Sequence, residues 1–257
     1  MLSAVLNLPR VKLYSQWDRP LEPGEVQLYR EMLLKRVQGW PLAYLTGKKA
    51  FLSWDFTVTP AVLIPRPETE LLVEFIVDRF KNKPPVRGVD VGTGSGAIVI
   101  ALAKLLPESK WEATDISAAA LKIAAQNAED LGVAGQVNFR EGDLLEPVKT
   151  FLPYDVIVSN PPYIPSAEID TLQPEVRKEP HSALDGGPDG LDCYRRLFTQ
   201  TLPLLKETGI LAVEHGYDQR QSLLDLAAKN GLACETLTDL AGLDRILVAY
   251  QPGTPNA

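Results

Sequence analysis

At 257 residues and 28.2 kDa, the chain can fill one large core with at most a small appended domain, because single cores stop growing near roughly 250–300 residues. Apolar residues at 45% and charged residues at 23% exclude the sparse hydrophobicity and high charge of a disordered chain. The net charge of -7 is uneven: residues 1–60 carry eight Lys/Arg against five Asp/Glu and the rest eighteen against twenty-eight, so the acidic bulk disfavours a bare phosphate backbone as the main partner.

The opening segment, MLSAVLNLPRVK, has neither a basic leader before an apolar run nor a small-residue cleavage site, so the chain is expected in the cytoplasm. In EVQLYREMLLKRVQ, residues 25–38, Val26, Tyr29, Leu33 and Val37 recur at helical spacing with charges opposite, which predicts an amphipathic helix. Gly39 and Pro41 supply its stop. Residues 1–48 are therefore expected to form a small helical domain. The aromatic and β-branched run FLSWDFTVT between Ala50 and Pro60 predicts a short β-hairpin, placed as a linker at 49–62 and read as the hinge to a larger domain at 63–257.

From Val86 onward, runs rich in β-branched residues alternate with helical patterns. VRGVDV precedes a helix from about Ala97, and WEATD precedes one from Ser117 through Leu131. VNFRE, YDVIVSN, ILAVEH, residues 233–237 and RILVAY complete seven candidate strands. Strands alternating with helices predict a doubly wound α/β fold, a parallel sheet covered on both faces. The last two runs are joined by DLAGLD without a long helix, so an antiparallel pair is expected there. The longest apolar stretch, Ala97 to Leu106, is interrupted by Lys104 and is about half the roughly 20 residues that a membrane span requires. Cys193 and Cys234 stand far apart, and only His181 and His215 could add imidazoles, so no metal site is expected.

In VDVGTGSGAI, Asp90 and the glycines at 92, 94 and 96 lie where a strand turns into a helix, so the backbone can turn tightly and approach a ligand. Thr93 and Ser95 complete the loop. The same string satisfies the dinucleotide pattern, and the loop alone leaves the cofactor open. Asp115, about twenty residues on at the end of WEATD, can accept hydrogen bonds from ribose hydroxyls. Its alternative role is a helix cap, which Ser117 fills equally well.

The discriminating element is NPPY, Asn160–Tyr163, directly after the strand YDVIVS. An amide or aromatic amino nitrogen has a delocalised lone pair and attacks a methyl sulfonium poorly unless acceptors hold its hydrogens. Asn160 offers a side-chain carbonyl, and Pro161 a main-chain carbonyl with no N–H to compete. Together they can orient the lone pair and favour the developing charge. Tyr163 offers a flat face to a planar substrate.

With these residues in place, the chain closely resembles the bacterial release factor glutamine methyltransferases, the PrmC/HemK family. The resemblance rests on PLAYLTG at 41–47, LIPRPETELLVE at 63–74, VDVGTGSGAIVIALA at 89–103, SNPPYI at 159–164, EPHSALDGGPDGL at 179–191 and DLAGLDR at 239–245. It implies a seven-stranded class I methyltransferase sheet behind a helical N-terminal domain. It also implies S-adenosylmethionine held by Gly92, Thr93, Gly94, Ser95, Gly96 and Asp115, with Asn160 touching cofactor and substrate alike. Asn160, Pro161, Pro162 and Tyr163 would grip a glutamine, the one in the GGQ loop of class 1 peptide release factors, which the N-terminal domain helps to dock. Two departures stand out: the N-terminal domain looks shorter than in relatives, and Leu144 stands where some relatives place an aromatic residue near the adenine, which leaves it a backbone or apolar contact.

Arg66 and Glu68 in PRPETE suit either the first turn of a helix or the cofactor side. The run at 179–191 reads as a lid or as a plain surface connection, and His215 as structural. The rival enzyme is a nucleic-acid amino-methyltransferase with the same grip on a flipped base, disfavoured by the acidic bulk and the lack of a target-recognition insert. A silent cofactor-binding regulator and a dehydrogenase stand further off.

Overall fold

The computed structural model describes residues 1–83, 85–150 and 153–253. The N-terminal part is helical, with α1 at Leu2–Val5, α2 at Arg10–Ser15, α3 at Pro23–Val37 and α4 at Leu42–Thr46. Helix α3 opens with a capping box between Glu22 and Glu25, and Gly39 takes a φ of 81° just beyond its end. Its inward face differs from the expected one. Met32 is buried, with Val26, Tyr29 and Arg36 half-buried beside it, whereas Leu33 is 38% and Val37 86% exposed. With so many apolar positions around this helix, spacing alone admits two stripes. The Arg36 contact decides between them: its guanidinium donates to Trp40 O at 3.2 Å and pairs with Glu175 at 2.5 Å.

The hairpin forms as predicted, β1 at Lys48–Phe51 and β2 at Trp54–Thr57. It is anchored rather than loose: Phe51 and Phe56 are 1% and 0% exposed, meet edge to face at 6.0 Å and join the main core. Glu70 accepts from the Leu52 N–H in its turn at 2.7 Å. Buried Asn127 accepts from the Thr57 N–H at 2.8 Å and donates to Thr57 O at 3.0 Å. The same aromatic side chains that predict a strand seat the hairpin in the core.

The remaining elements are α5 at Glu70–Phe80, β3 at Arg87–Val91, α6 at Ala97–Leu105, β4 at Lys110–Asp115 and α7 at Ala118–Asp130. They continue with β5 at Val137–Glu141, β6 at Tyr154–Ser159, α8 at Asp192–Thr201, β7 at Leu205–Glu214, α9 at Arg220–Lys229, β8 at Ala233–Thr238 and β9 at Asp244–Tyr250. One sheet has the order β5-β4-β3-β6-β7-β9-β8, parallel throughout except that β9 runs antiparallel to both β7 and β8. Alternate residues face opposite sides, as the pleat requires. Val156, Val158, Ile210 and Ala212 join the core under α5 and α6, and Ile157, Leu211 and Val213 join the core under α8 and α9. Among the described residues no helix is long and apolar enough to cross a membrane.

Within this core Gly88 stands opposite Trp111 on β4, where an added Cβ would lie 2.2 Å from the indole. Gly88→Ala is expected to cost about 1–3 kcal/mol through overpacking, read as a lower urea midpoint. An unchanged midpoint would mean that the indole yields freely.

Candidate active site

The strand order reverses at β3: β4 and β5 lie on one side of it, and β6 and β7 on the other. Ligands in open α/β sheets bind beyond the carboxyl ends of the strands at such a switch point. Thr114, Val91, Ser159 and Val213 stand side by side in the parallel register. The next residue on each strand is therefore Asp115, Gly92, Asn160 and Glu214. Ser159 Oγ donates to Val91 O at 2.7 Å and ties the central pair.

A cleft of about 430 Å³ opens above these ends, within the range of small-molecule sites. Gly92 and Gly94 line it, with Asp115, Ile116, Gly142, Asp143, Leu144, Asn160, Pro161 and Pro162. Thr93, Ser95 and Gly96 are buried beneath the loop. Thr93 donates to Asp90 at 2.7 Å, and Ser95 O accepts from Asn127 at 2.8 Å. Asp115 accepts from the Gly94 and Ser117 N–H groups at 2.9 Å each, while Ser117 caps α7 through the Ala120 N–H. Burial raises the Asp115 carboxyl above its ordinary value, against those two N–H donors, and pushes that of Asp90 up to about 7. Leu144 holds a φ of 47° in the cleft wall.

A second cavity of about 110 Å³ adjoins the first, lined by Arg66, Tyr163, Ile164, Val176 and Leu184. Leu63, Asn160, Pro161 and Ala183 line both, so Asn160 and Pro161 stand at the junction. Asn160 Nδ2 donates to Thr69 Oγ1 at 3.1 Å, which turns the amide nitrogen inward and leaves Oδ1 as the end available to the cleft. Tyr163 is largely buried, and burial pushes its phenol up to about 12. Its carbonyl accepts from Gln219 Nε2 at 2.9 Å.

The 179–191 run is a packed wall. Ile164 N–H donates to Leu184 O at 3.0 Å and Gly186 N–H to Ile164 O at 2.9 Å. Pro180, Ser182, Ala183, Asp185, Gly186 and Gly187 face the cleft. Arg66 pairs with buried Glu179 at 2.5 Å, and Glu179 also accepts from the Ile64 N–H at 2.9 Å. Arg66 thus faces the second cavity rather than the glycine loop, while Glu68 lies in the 3₁₀ turn Pro67–Thr69 ahead of α5. His215 is fully buried with Nδ1 2.7 Å from Gly216 O, a packed residue.

Sequence reasoning missed Thr69 and Glu214. Each lies inside a stretch it did identify, Thr69 in PRPETE and Glu214 in ILAVEH, but the register of β7 against β6 is what sets Glu214 beside Asn160, and the bond from Asn160 Nδ2 is what marks Thr69. It also missed Ile116, an exposed apolar side chain directly after Asp115 on the cleft wall.

The reversed final strand, the glycine loop at the switch point and the acidic tip of the next strand are those of a class I methyltransferase sheet. Two family models match the chain, the methyltransferase small domain over residues 67–187 and the PrmC N-terminal domain over residues 1–47. A release factor glutamine methyltransferase of Moorella thermoacetica is 45% identical over 98% of this chain and 89% of its own length. That of Geobacter sulfurreducens is 43% identical over 96% and 86%. The chain belongs to the release factor glutamine methyltransferase family. Among solved structures, the ribosomal protein L11 methylase of Lactobacillus delbrueckii subsp. bulgaricus aligns with a TM-score of 0.54 at 24% identity, covering 72% of this chain and 80% of that one. The human Mettl16 catalytic domain aligns at 0.62 and 13% identity, covering 91% and 94%. Both show the same fold.

Proposed function

We propose that this chain transfers a methyl group to the side-chain amide nitrogen of the GGQ glutamine in class 1 peptide release factors, with S-adenosylmethionine as donor. The observation that carries the reading is the placement of Asn160 and Pro161 between two cavities, with the Asn160 nitrogen already engaged by Thr69. The larger cavity suits the cofactor. Gly92 and Gly94 leave room for close approach, Asp115 offers a carboxylate to hydroxyls, and Ile116 and Leu144 offer apolar surface to a base. Thr93, Ser95 and Gly96 support the loop from beneath. When bound, the cofactor would supply the sulfonium methyl that is transferred.

In the smaller cavity Asn160 Oδ1 and the Pro161 carbonyl accept the two amide hydrogens, and Pro162 adds no competing N–H. The nitrogen lone pair is thereby aimed along the junction, and the positive charge that develops on nitrogen meets two carbonyl dipoles. Tyr163 gives the planar amide a flat wall. The methylated nitrogen is acidic enough to lose its proton to solvent, so no general base is required. Residues 1–48 serve to dock the release factor, 49–62 link, and 63–257 carry the chemistry in the cytoplasm, with nucleic acid not a substrate.

Asp115→Ala is expected to weaken cofactor binding about tenfold to a hundredfold, the worth of hydrogen bonds to a charged acceptor, as read by calorimetric titration. Unchanged affinity would remove Asp115 from the cofactor site. The reading as a whole is tested by offering methyl-labelled cofactor together with a class 1 release factor and total ribosomal and transfer RNA. Label on the GGQ glutamine, abolished when that residue is replaced, establishes it; label in RNA alone overturns it.

A further inference from the structure

The Glu214 carboxylate is 2% exposed, at the carboxyl end of β7 and one register step past the β6–β7 ladder that ends at Ser159 and Val213. It lies against the Thr69 hydroxyl and the Asn160 amide, both of which favour its charged form, while among the described residues its Oε2 has no hydrogen-bond partner. Thr69 Oγ1 already accepts from Asn160 Nδ2, so the hydroxyl's single proton is free to point at the carboxylate. A carboxylate can only accept. It therefore fixes Thr69 as donor on one side and acceptor on the other, and Thr69 in turn demands the NH₂ end of Asn160. A carboxylic acid in the same place would compete to donate to Thr69 Oγ1, and the Asn160 amide would lose its preference for one orientation.

We propose that Glu214 is a positioning residue for methyl transfer, which sets through the Thr69 hydroxyl the end of the Asn160 amide that faces the cleft. This rests on the reading of Asn160 Oδ1 as an acceptor for the substrate's NH₂. Such a carboxylate costs folding energy to bury, and among the described residues no ion pair holds it. The groups that face it are Glu68 ahead of α5, Arg245 on β9, Tyr163 after β6 and Tyr194 on α8, whose hydroxyl donates to Glu214 O at 2.6 Å. Burial first, then the Glu68 charge, push the Glu214 carboxyl up to about 7, against Thr69, Arg245 and Asn160, which lower it. The acceptor-only form is therefore populated as pH rises through about 7, and turnover at saturating cofactor should rise with it. Asp90 shares that range, but it lies under the glycine loop and would register in cofactor affinity.

The test compares wild type with Glu214→Gln, Glu214→Leu, Thr69→Val and Thr69→Ser on a class 1 release factor. Glu214→Leu and Thr69→Val are expected to lose about 100-fold in kcat, the order of a misplaced reacting group, at unchanged cofactor Kd, with Thr69→Ser close to wild type. Glu214→Gln should lose the rise near pH 7. The ¹⁵N-labelled side-chain amide of Asn160, followed by NMR from pH 5.5 to 8.5, should shift with a midpoint near 7 in wild type and stay flat in Glu214→Gln. Wild-type kcat in Thr69→Val and Glu214→Leu, or an Asn160 amide that does not titrate, overturns the proposal. A wild-type enzyme that labels no glutamine would count against the proposed function, while the amide titration still decides the role of Glu214.

Discussion

Asn160→Ala is expected to lose about 100- to 1000-fold in kcat, the cost of removing one preorganised dipole from a developing charge, with cofactor affinity within a few-fold of wild type. Both halves follow from position. Asn160 lines the cleft at its far side from Asp115, which lies on the other flank of β3, so most polar contacts available to a cofactor survive the change. What disappears is an acceptor held in one orientation by Thr69. Single-turnover rates with the release factor, together with calorimetric cofactor titration, separate the two effects. Loss of cofactor binding in a folded variant would make Asn160 chiefly a cofactor ligand, and unchanged turnover would sink the acceptor mechanism. Asn160→Asp is the informative companion. A carboxylate has no NH₂ to give Thr69 and stands close to Glu214, so it too should be slow despite keeping an acceptor oxygen.

The glycine loop, Asp115 and NPPY each stand within a few residues of a strand end, so strand-then-loop reading located them without any tertiary knowledge. Seven strands and the reversed last one were legible because β-branched runs and the short DLAGLD connection are local features. Glu214 was not legible as a partner of Asn160, since 54 positions of register and crossover intervene and ILAVEH reads as an ordinary strand ending at a polar residue. Thr69 was hidden for the same reason inside a motif whose arginine and glutamate drew attention first. The exposed Leu33 and Val37 belong to a different class of miss: helical spacing identifies a stripe, but which stripe meets a neighbour depends on where Glu175 and Trp40 stand in the fold. The hairpin was located by its aromatics, but how firmly it seats was not legible, because burial of Phe51 and Phe56 depends on α5 lying beneath them.

The glycine loop itself yields a paired prediction in which stability and binding separate. Gly94 and Gly96 both hold positive φ, 56° and 81°, so either alanine variant is strained by about 1–2 kcal/mol. Their surroundings differ. A Cβ on Gly94 meets nothing nearer than Gly92 O at 4.0 Å, whereas one on Gly96 would lie 2.7 Å from Ile100 Cδ1 and 3.2 Å from Ala124 Cβ. Gly96→Ala must therefore push α6 and α7 apart and is expected to cost about 2–5 kcal/mol in all, visible as a clear fall in the urea midpoint. Gly94→Ala keeps the packing but adds a methyl on the cleft wall, beside the N–H that Asp115 holds at 2.9 Å. It should stay within about 2 kcal/mol of wild-type stability and lose cofactor affinity by more than Gly96→Ala does at a temperature where both are folded. The reverse ranking, with Gly94→Ala binding normally, would mean that the cofactor does not approach the loop at its middle glycine, and the assignment of Gly92 and Gly94 as the contacting pair would have to be given up in favour of the strand tips alone.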